Sequence, residues 1–283
     1  MRRRDFLQIA TRAFGAVASA SPALARVGVM PSFNRTPDTP QSFGYKISWF
    51  ALKASDPISV LDALGFADAV PANWASGLSA AYPYGASQRN DPWVFVSPPV
   101  SGWVLAAGFW LPYPAAIEPH LEVGRKFDAL FSRLIQRFDD VQFFGSYRVV
   151  DFVAWARAVK GKPSRVFAYA DGEVFANAGV QTPEEAKLRF ANLTGLSPPA
   201  ARDKIFKIAK EQEAEESALI ASGLSPREVR ARVRQNRRDA TPDEKDVVDL
   251  AALWSIDPTK LSNQDHPPGI GLAARLPTDF LMQ

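Results

Sequence analysis

The residues able to do acid–base or metal chemistry are few. The 283-residue chain has two histidines and no cysteine. Without cysteine there is no thiolate nucleophile, disulfide framework, Cys-held zinc or iron–sulfur cluster. His120 follows Pro119 at the start of a helical stretch, and His266 lies in "NQDHPPG". Two separated histidines without organised carboxylates make a poor metal site and read as surface or capping residues. No G-x-S-x-G elbow is present to present a nucleophilic serine. "GIGLAA" (269–274) has the spacing of a dinucleotide-binding turn, but it follows prolines and runs into Arg275-Leu276-Pro277, so it reads as a loop. The acidic pairs and triplets at Asp139-Asp140, Glu213/Glu215/Glu216 and Asp243/Glu244/Asp246 read as solvated or dipole-compensating groups. The sequence thus assigns no catalytic residue, no metal ligand and no cofactor.

Two patterns fit binding better. Trp93, Trp103 and Trp110, with Tyr82, Tyr84 and Tyr113 around them, are more aromatic surface than a small hairpin needs for its own core. Such residues are enriched at interface centres and in ligand pockets; the competing reading is packing against the helix that follows. Arg227, Arg230, Arg234, Arg237 and Arg238 can form a stripe along one helix, suited to an acidic protein, an anionic lipid or RNA. It lacks interleaved aromatics for base stacking, and pairing with the acidic "KEQEAEES" helix before it is the favoured reading.

Local signals place these residues on elements. "YKISWFALKA" reads as a strand, and "DPISVLDALGF" as a helix with Pro57 in its first turn. After an insertion at 67–90, "WVFVSPPVSGWVLAAG" reads as a hairpin. "HLEVGRKFDALFSRLIQRF" is a helix whose Val123, Phe127, Leu130, Leu134 and Phe138 form one stripe. Then "DVQFFGSYRVV" reads as a strand and "VDFVAWARAVKG" as a helix, from the spacing of Phe152, Trp155 and Val159. "SRVFAYADGEVFANAG" is a hairpin with a tight Asp171-Gly172 turn. Three capping-box signals, at Thr182, Ser225 and Thr241, start helices. A fourth helix spans about 199–222, and "DVVDLAALWSIDP" is expected to dock on the domain before it through Val247, Leu250, Leu253 and Trp254.

The expected fold is α+β. Tandem strand–helix–strand–strand repeats form a mostly antiparallel sheet with helices on one face, followed by a helical C-terminal region. The tandem plan over 45–179 is similar to the duplicated modules of GyrI-like ligand-binding proteins. That likeness lies in element order and implies no particular site residue. The expected divisions are a signal peptide at 1–25, a flexible Pro-rich linker at 26–44, the duplicated domain at 45–179 and the helical region at 180–283.

The first residues bear on location. Arg3-Arg4-Asp5-Phe6-Leu7-Gln8 resembles a twin-arginine export signal, with Arg2 and Gln8 departing from the usual pattern, and Ala23-Leu24-Ala25 supplies a small-residue cleavage site. The resemblance implies export to the periplasm or beyond; a retained amphipathic helix and a cytoplasmic protein are the alternative. The chain carries 33 Lys+Arg against 30 Asp+Glu, and removing residues 1–25, with Arg2, Arg3, Arg4, Arg12 and Asp5, leaves 29 of each sign. A neutral remainder argues against nucleic acid as the partner. The expected function is a non-catalytic binding or interaction protein whose partner is a protein or small molecule. An exported enzyme and an inhibitor or immunity-like protein are the alternatives.

Overall fold

A computed structural model describes residues 32–82, 92–229, 232 and 241–277. Nine antiparallel strands form one sheet in the order β2-β9-β3-β4-β1-β5-β6-β7-β8. They are β1 (Ser48–Leu52), β2 (Val70–Ala72), β3 (Trp93–Val96), β4 (Val104–Gly108), β5 (Asp140–Tyr147), β6 (Phe152–Val159), β7 (Lys162–Ala170), β8 (Glu173–Gly179) and β9 (Gly271–Arg275). The helices are α1 (Pro57–Leu64), α2 (Trp74–Ala81), α3 (Leu121–Ile135), α4 (Pro183–Lys187), α5 (Pro198–Ala221) and α6 (Glu244–Trp254). The fold is α+β.

Helices cover both faces of the sheet, not one. On the first face α2, α5 and α6 close over Trp49, Phe95, Phe144, Trp155 and Phe167. On the second, α1 and α3 close over Phe50, Leu52, Val94, Val141 and Phe143. A strand buried on both sides loses the apolar–polar alternation that marks a half-exposed one. All five residues of β1 are buried, with Trp49 and Ala51 on one face and Phe50 and Leu52 on the other.

This double burial explains the largest departure from expectation. Residues 152–159 form strand β6, not a helix, paired along its length with β5 and β7. Val153 and Trp155 enter the first core, while Ala154, Ala156 and Ala158 enter the second. The helix-like spacing of Phe152, Trp155 and Val159 is a by-product of two apolar faces. Strands β5–β8 therefore make a plain meander, and the second half does not repeat the strand–helix–strand–strand order of the first. Trp49-Phe50 and Phe143-Phe144, which sit in the two halves of the expected duplication, are cross-strand neighbours at the middle of the sheet.

Several local signals are confirmed. Asp56 caps α1 by accepting from the Ile58 and Ser59 amides, and Gly65 ends it in the left-handed region. Asp171 and Gly172 both have positive φ, as a type I′ hairpin turn requires. Thr182 and Glu185 form a complete capping box at α4, and Ser225 exchanges hydrogen bonds with Glu228. The cap of α6 is Asp243, with Asp246 closing the box, two residues beyond the expected Thr241. Helix α6 docks as expected through Val247, Leu250 and Trp254, with Trp254 packed on Phe144, whereas Leu253 faces outward.

Two segments read as irregular are tied into the sheet. The "GIGLAA" stretch becomes β9, which sits between β2 and β3 and makes the C-terminal region part of the same sheet. A Cβ on Gly271 would lie 2.3 Å from the Val96 carbonyl, so a glycine is needed for this approach. The described part of the expected linker, residues 32–44, is also packed. Phe33 meets Trp93, Phe43 meets Trp49, and the Asp38 carboxylate accepts the Trp74 and Ala75 amides at the start of α2. Two phenylalanines and one capping acid outweigh the Pro/Ser/Thr composition that suggested a tether.

Candidate interaction surface

The aromatic set read from the sequence divides between the two cores. Trp93 and Trp103, 2% and 7% exposed, belong to the first core, because alternate hairpin residues point to opposite faces. The Arg275 guanidinium lies over the Trp93 ring and the Lys53 ammonium 4.8 Å from the Trp103 ring centre. Trp110 and Tyr113 pack at the margin of the second core. Tyr82, at the margin of the first, donates its hydroxyl to the Tyr45 carbonyl. Arg227 is exposed beyond α5. Tyr84, Arg230, Arg234, Arg237 and Arg238 lie outside the described residues, as do residues 1–25, the expected signal peptide.

What the fold collects instead is an apolar surface at one end of the sheet. Its continuity follows from a chain of contacts. Tyr82 reaches Tyr45; the Phe109 amide donates to the neighbouring Ala81 carbonyl; Phe109 meets Trp110 and Tyr147 edge-on at 5.1 and 5.4 Å. Tyr147 ends β5 and leads into the 3₁₀ turn Arg148–Val150. The Val150 carbonyl accepts from Asp171 at the β7–β8 turn, and Phe206 of α5 packs against Gly172 of that turn. Tyr45, Val149 and Phe206 are 42%, 61% and 48% exposed at this end of the sheet, high for large apolar side chains. Sequence reasoning missed Tyr45, Phe109, Tyr147, Val149 and Phe206. The one available signal was "YRVVD", whose two valines sit where a polar turn would be usual.

Helix α5 forms a wall beside this surface. It begins next to Leu196, whose carbonyl accepts from Asn177 of β8; Arg202 then reaches Glu173 and Phe206 covers Gly172. The helix thus runs antiparallel to β8 and leaves the sheet at the β7–β8 turn. Ala201, Ile205 and Ile208 are its buried residues. The remainder, Lys210–Ala221, projects by about 18 Å at 1.5 Å per residue.

The field at this end is negative. Burial raises the pKa of Tyr45, and Glu244, Asp257 and Asp249 raise it further. Tyr169, beside the two turns, is raised by burial and then by Asp151, Asp171 and Glu173. Several local cations are already held: Arg202 by Glu173 and Asp203, Lys245 by Asp249, and Arg148 lies 3.7 Å from Glu244.

Two buried groupings could in principle do chemistry. Arg165 and Glu185, 2% and 1% exposed, form an ion pair at 2.8 Å under α4. Both Glu185 oxygens are occupied, by Arg165 Nε, Trp155 Nε1 and the Thr182 amide. Arg165 Nη1 donates to Asn177 Oδ1 and to the Val166 and Ala178 carbonyls. The adjoining cavity, lined by Trp155, Phe167, Phe190 and Pro242, encloses about 10 Å³, room for one water. This network anchors α4, with both carboxylate oxygens hydrogen-bonded, and leaves no space for a substrate. The second grouping is Tyr113 with His120 Nδ1 at 3.0 Å, the imidazole stacked on Phe175 at 4.4 Å. Burial pushes the Tyr113 phenol up to about 12 and the His120 pKa down, so at neutral pH the phenol keeps its proton and the ring is neutral.

Among the described residues, no group of three or more His, Asp or Glu side chains could hold a metal ion. No described helix is long and apolar enough to cross a membrane. Comparison with protein-family models, curated proteins and solved structures returns no match for this chain.

Proposed function

We propose that the protein is an exported, non-catalytic interaction protein that holds a protein partner on the apolar end of its sheet. One observation carries this reading: Tyr45, Val149 and Phe206 stand exposed at the same end of the sheet, where Phe109 meets Trp110 and Tyr147. Burying several large apolar and aromatic side chains together is how a stable interface forms its anchoring centre. Export is supported by the Arg3-Arg4-Asp5-Phe6-Leu7 stretch and by the neutral charge balance beyond residue 25.

The enzyme reading has one observation of its own, the Tyr113–His120 pair, which would serve as a donor–acceptor couple. Two experiments separate the proposals. Val149→Ser with Phe206→Ser should abolish co-purification of a partner while leaving thermal stability unchanged; retained co-purification counts against the surface. Fractionation with mass spectrometry should find a mature N-terminus at Arg26 in the periplasm; an intact Met1 in the cytoplasm counts against export.

A further inference from the structure

The charge around the apolar end identifies the kind of partner it takes. The two turns that frame Val149 carry Asp151 and Asp171, which make no ion pair among the described residues. Helix α5 then rises beside them with Glu213 and Glu216 exposed on its projecting part, and α6 brings Glu244 and Asp249 to the Tyr45 side. Arg202 is paired with Glu173 and Asp203, and Lys245 with Asp249, so these charges cancel, while Arg148, 64% exposed beside Val149, lies 3.7 Å from Glu244. Glu244 keeps one buried carboxylate oxygen without a hydrogen-bond donor, its other oxygen being 3.7 Å from Arg148. The result is an apolar, aromatic centre with an acidic rim.

Resting on the interaction reading above, we propose that this end of the sheet docks a basic polypeptide, with apolar side chains on the Val149–Phe206 centre and Lys or Arg side chains on Asp151 and Asp171. An acidic rim attracts such a partner during encounter and disfavours neutral or acidic competitors. Asp151 and Asp171 approach each other through the Asp171 amide bond to Val150, at 3.0 Å. A guanidinium placed between the two turns can meet both carboxylates with charge-assisted hydrogen bonds.

The test uses the full chain and fluorescently labelled nona-arginine, with nona-glutamate as the control peptide, read by anisotropy at low ionic strength. Nona-arginine should bind and nona-glutamate should not. Asp151→Asn with Asp171→Asn should weaken binding about tenfold, as loss of two rim charges does. Asp62→Asn with Asp139→Asn, on α1 and at the opposite end of β5, should leave it unchanged. Equal binding of both peptides, no nona-arginine binding, or equal weakening by the opposite-end variant overturns the proposal. Salt-sensitive self-association lost in the Asp151→Asn/Asp171→Asn variant also overturns it, because the occupant is then a second copy of this chain. Partner capture that needs Val149 and Phe206 but tolerates Asp151→Asn with Asp171→Asn leaves the interaction surface standing and removes its basic partner.

Discussion

Replacing Glu185 with Leu should be among the most damaging single changes in the described fold, and removing its partner as well should relieve much of the damage. The carboxylate is 1% exposed and satisfies Arg165 Nε, Trp155 Nε1 and the Thr182 amide. Its loss leaves a guanidinium buried at 2% exposure, supported by Asn177 and two backbone carbonyls. Breaking one side of such a pair costs about 3–5 kcal/mol. Arg165→Met, which leaves the carboxylate with two donors, should cost about 3–4 kcal/mol. In the double variant no buried charge remains; the cost comes from the orphaned Trp155 and Thr182 donors, about 1–3 kcal/mol each at most, and from the acceptors that Arg165 Nη1 served, Asn177 Oδ1 among them. The two singles should therefore sum to more than the double by over about 0.5 kcal/mol. Urea unfolding followed by tryptophan fluorescence measures all four corners of the cycle, provided the m-value stays constant. Additivity within about 0.5 kcal/mol, or a cost below about 1 kcal/mol for either single, would refute the ion pair as the anchor of α4.

Other consequences follow from single contacts. Asp243→Ala removes the acceptor for the Lys245 and Asp246 amides and should cost about 1 kcal/mol by urea denaturation. Gly124→Ala would place a Cβ 1.8 Å from the Ala115 carbonyl oxygen; chemical denaturation should show a net loss of about 1–3 kcal/mol despite alanine's better helix propensity. Burial lowers the folded pKa of His120, so below the unfolded value of 6.5 the unfolded chain binds more protons than the native one. This group therefore costs nothing above its unfolded pKa, and stability falls as pH drops from there through the folded pKa. Comparing urea midpoints of wild type and His120→Gln between neutral pH and about 5.5 should show a smaller loss in the variant; identical slopes would contradict the assignment.

The fold was legible in the sequence wherever a signal is local. Asp56-Pro57 with Gly65, the Asp171-Gly172 turn and the Thr182–Glu185 box each specify backbone geometry through their own atoms. It was illegible where the environment decides. Residues 152–159 read as a helix because both faces of β6 are buried, and that depends on α3 below and α5 and α6 above. Gly271–Arg275 read as a loop because a strand inserted between β2 and β3 shows only in the sheet order. The surface was hidden for the same reason. Tyr45, Phe109, Val149 and Phe206 are far apart in sequence and meet only because β1, β4, β5 and α5 reach one end together. Conversely, Trp93 and Trp103 looked like a binding cluster until the strand pleat turned them into the core.

The account stands most directly on the exposed end of the sheet, and site-specific photo-crosslinking in cells tests it. A photoreactive residue in place of Val149, at the turn between β5 and β6, should give a discrete adduct with one basic protein. The same residue in place of Val159, at the far end of β6 and 38% exposed, should give none. Adducts from both positions alike, or from neither while the protein remains folded, would contradict the account.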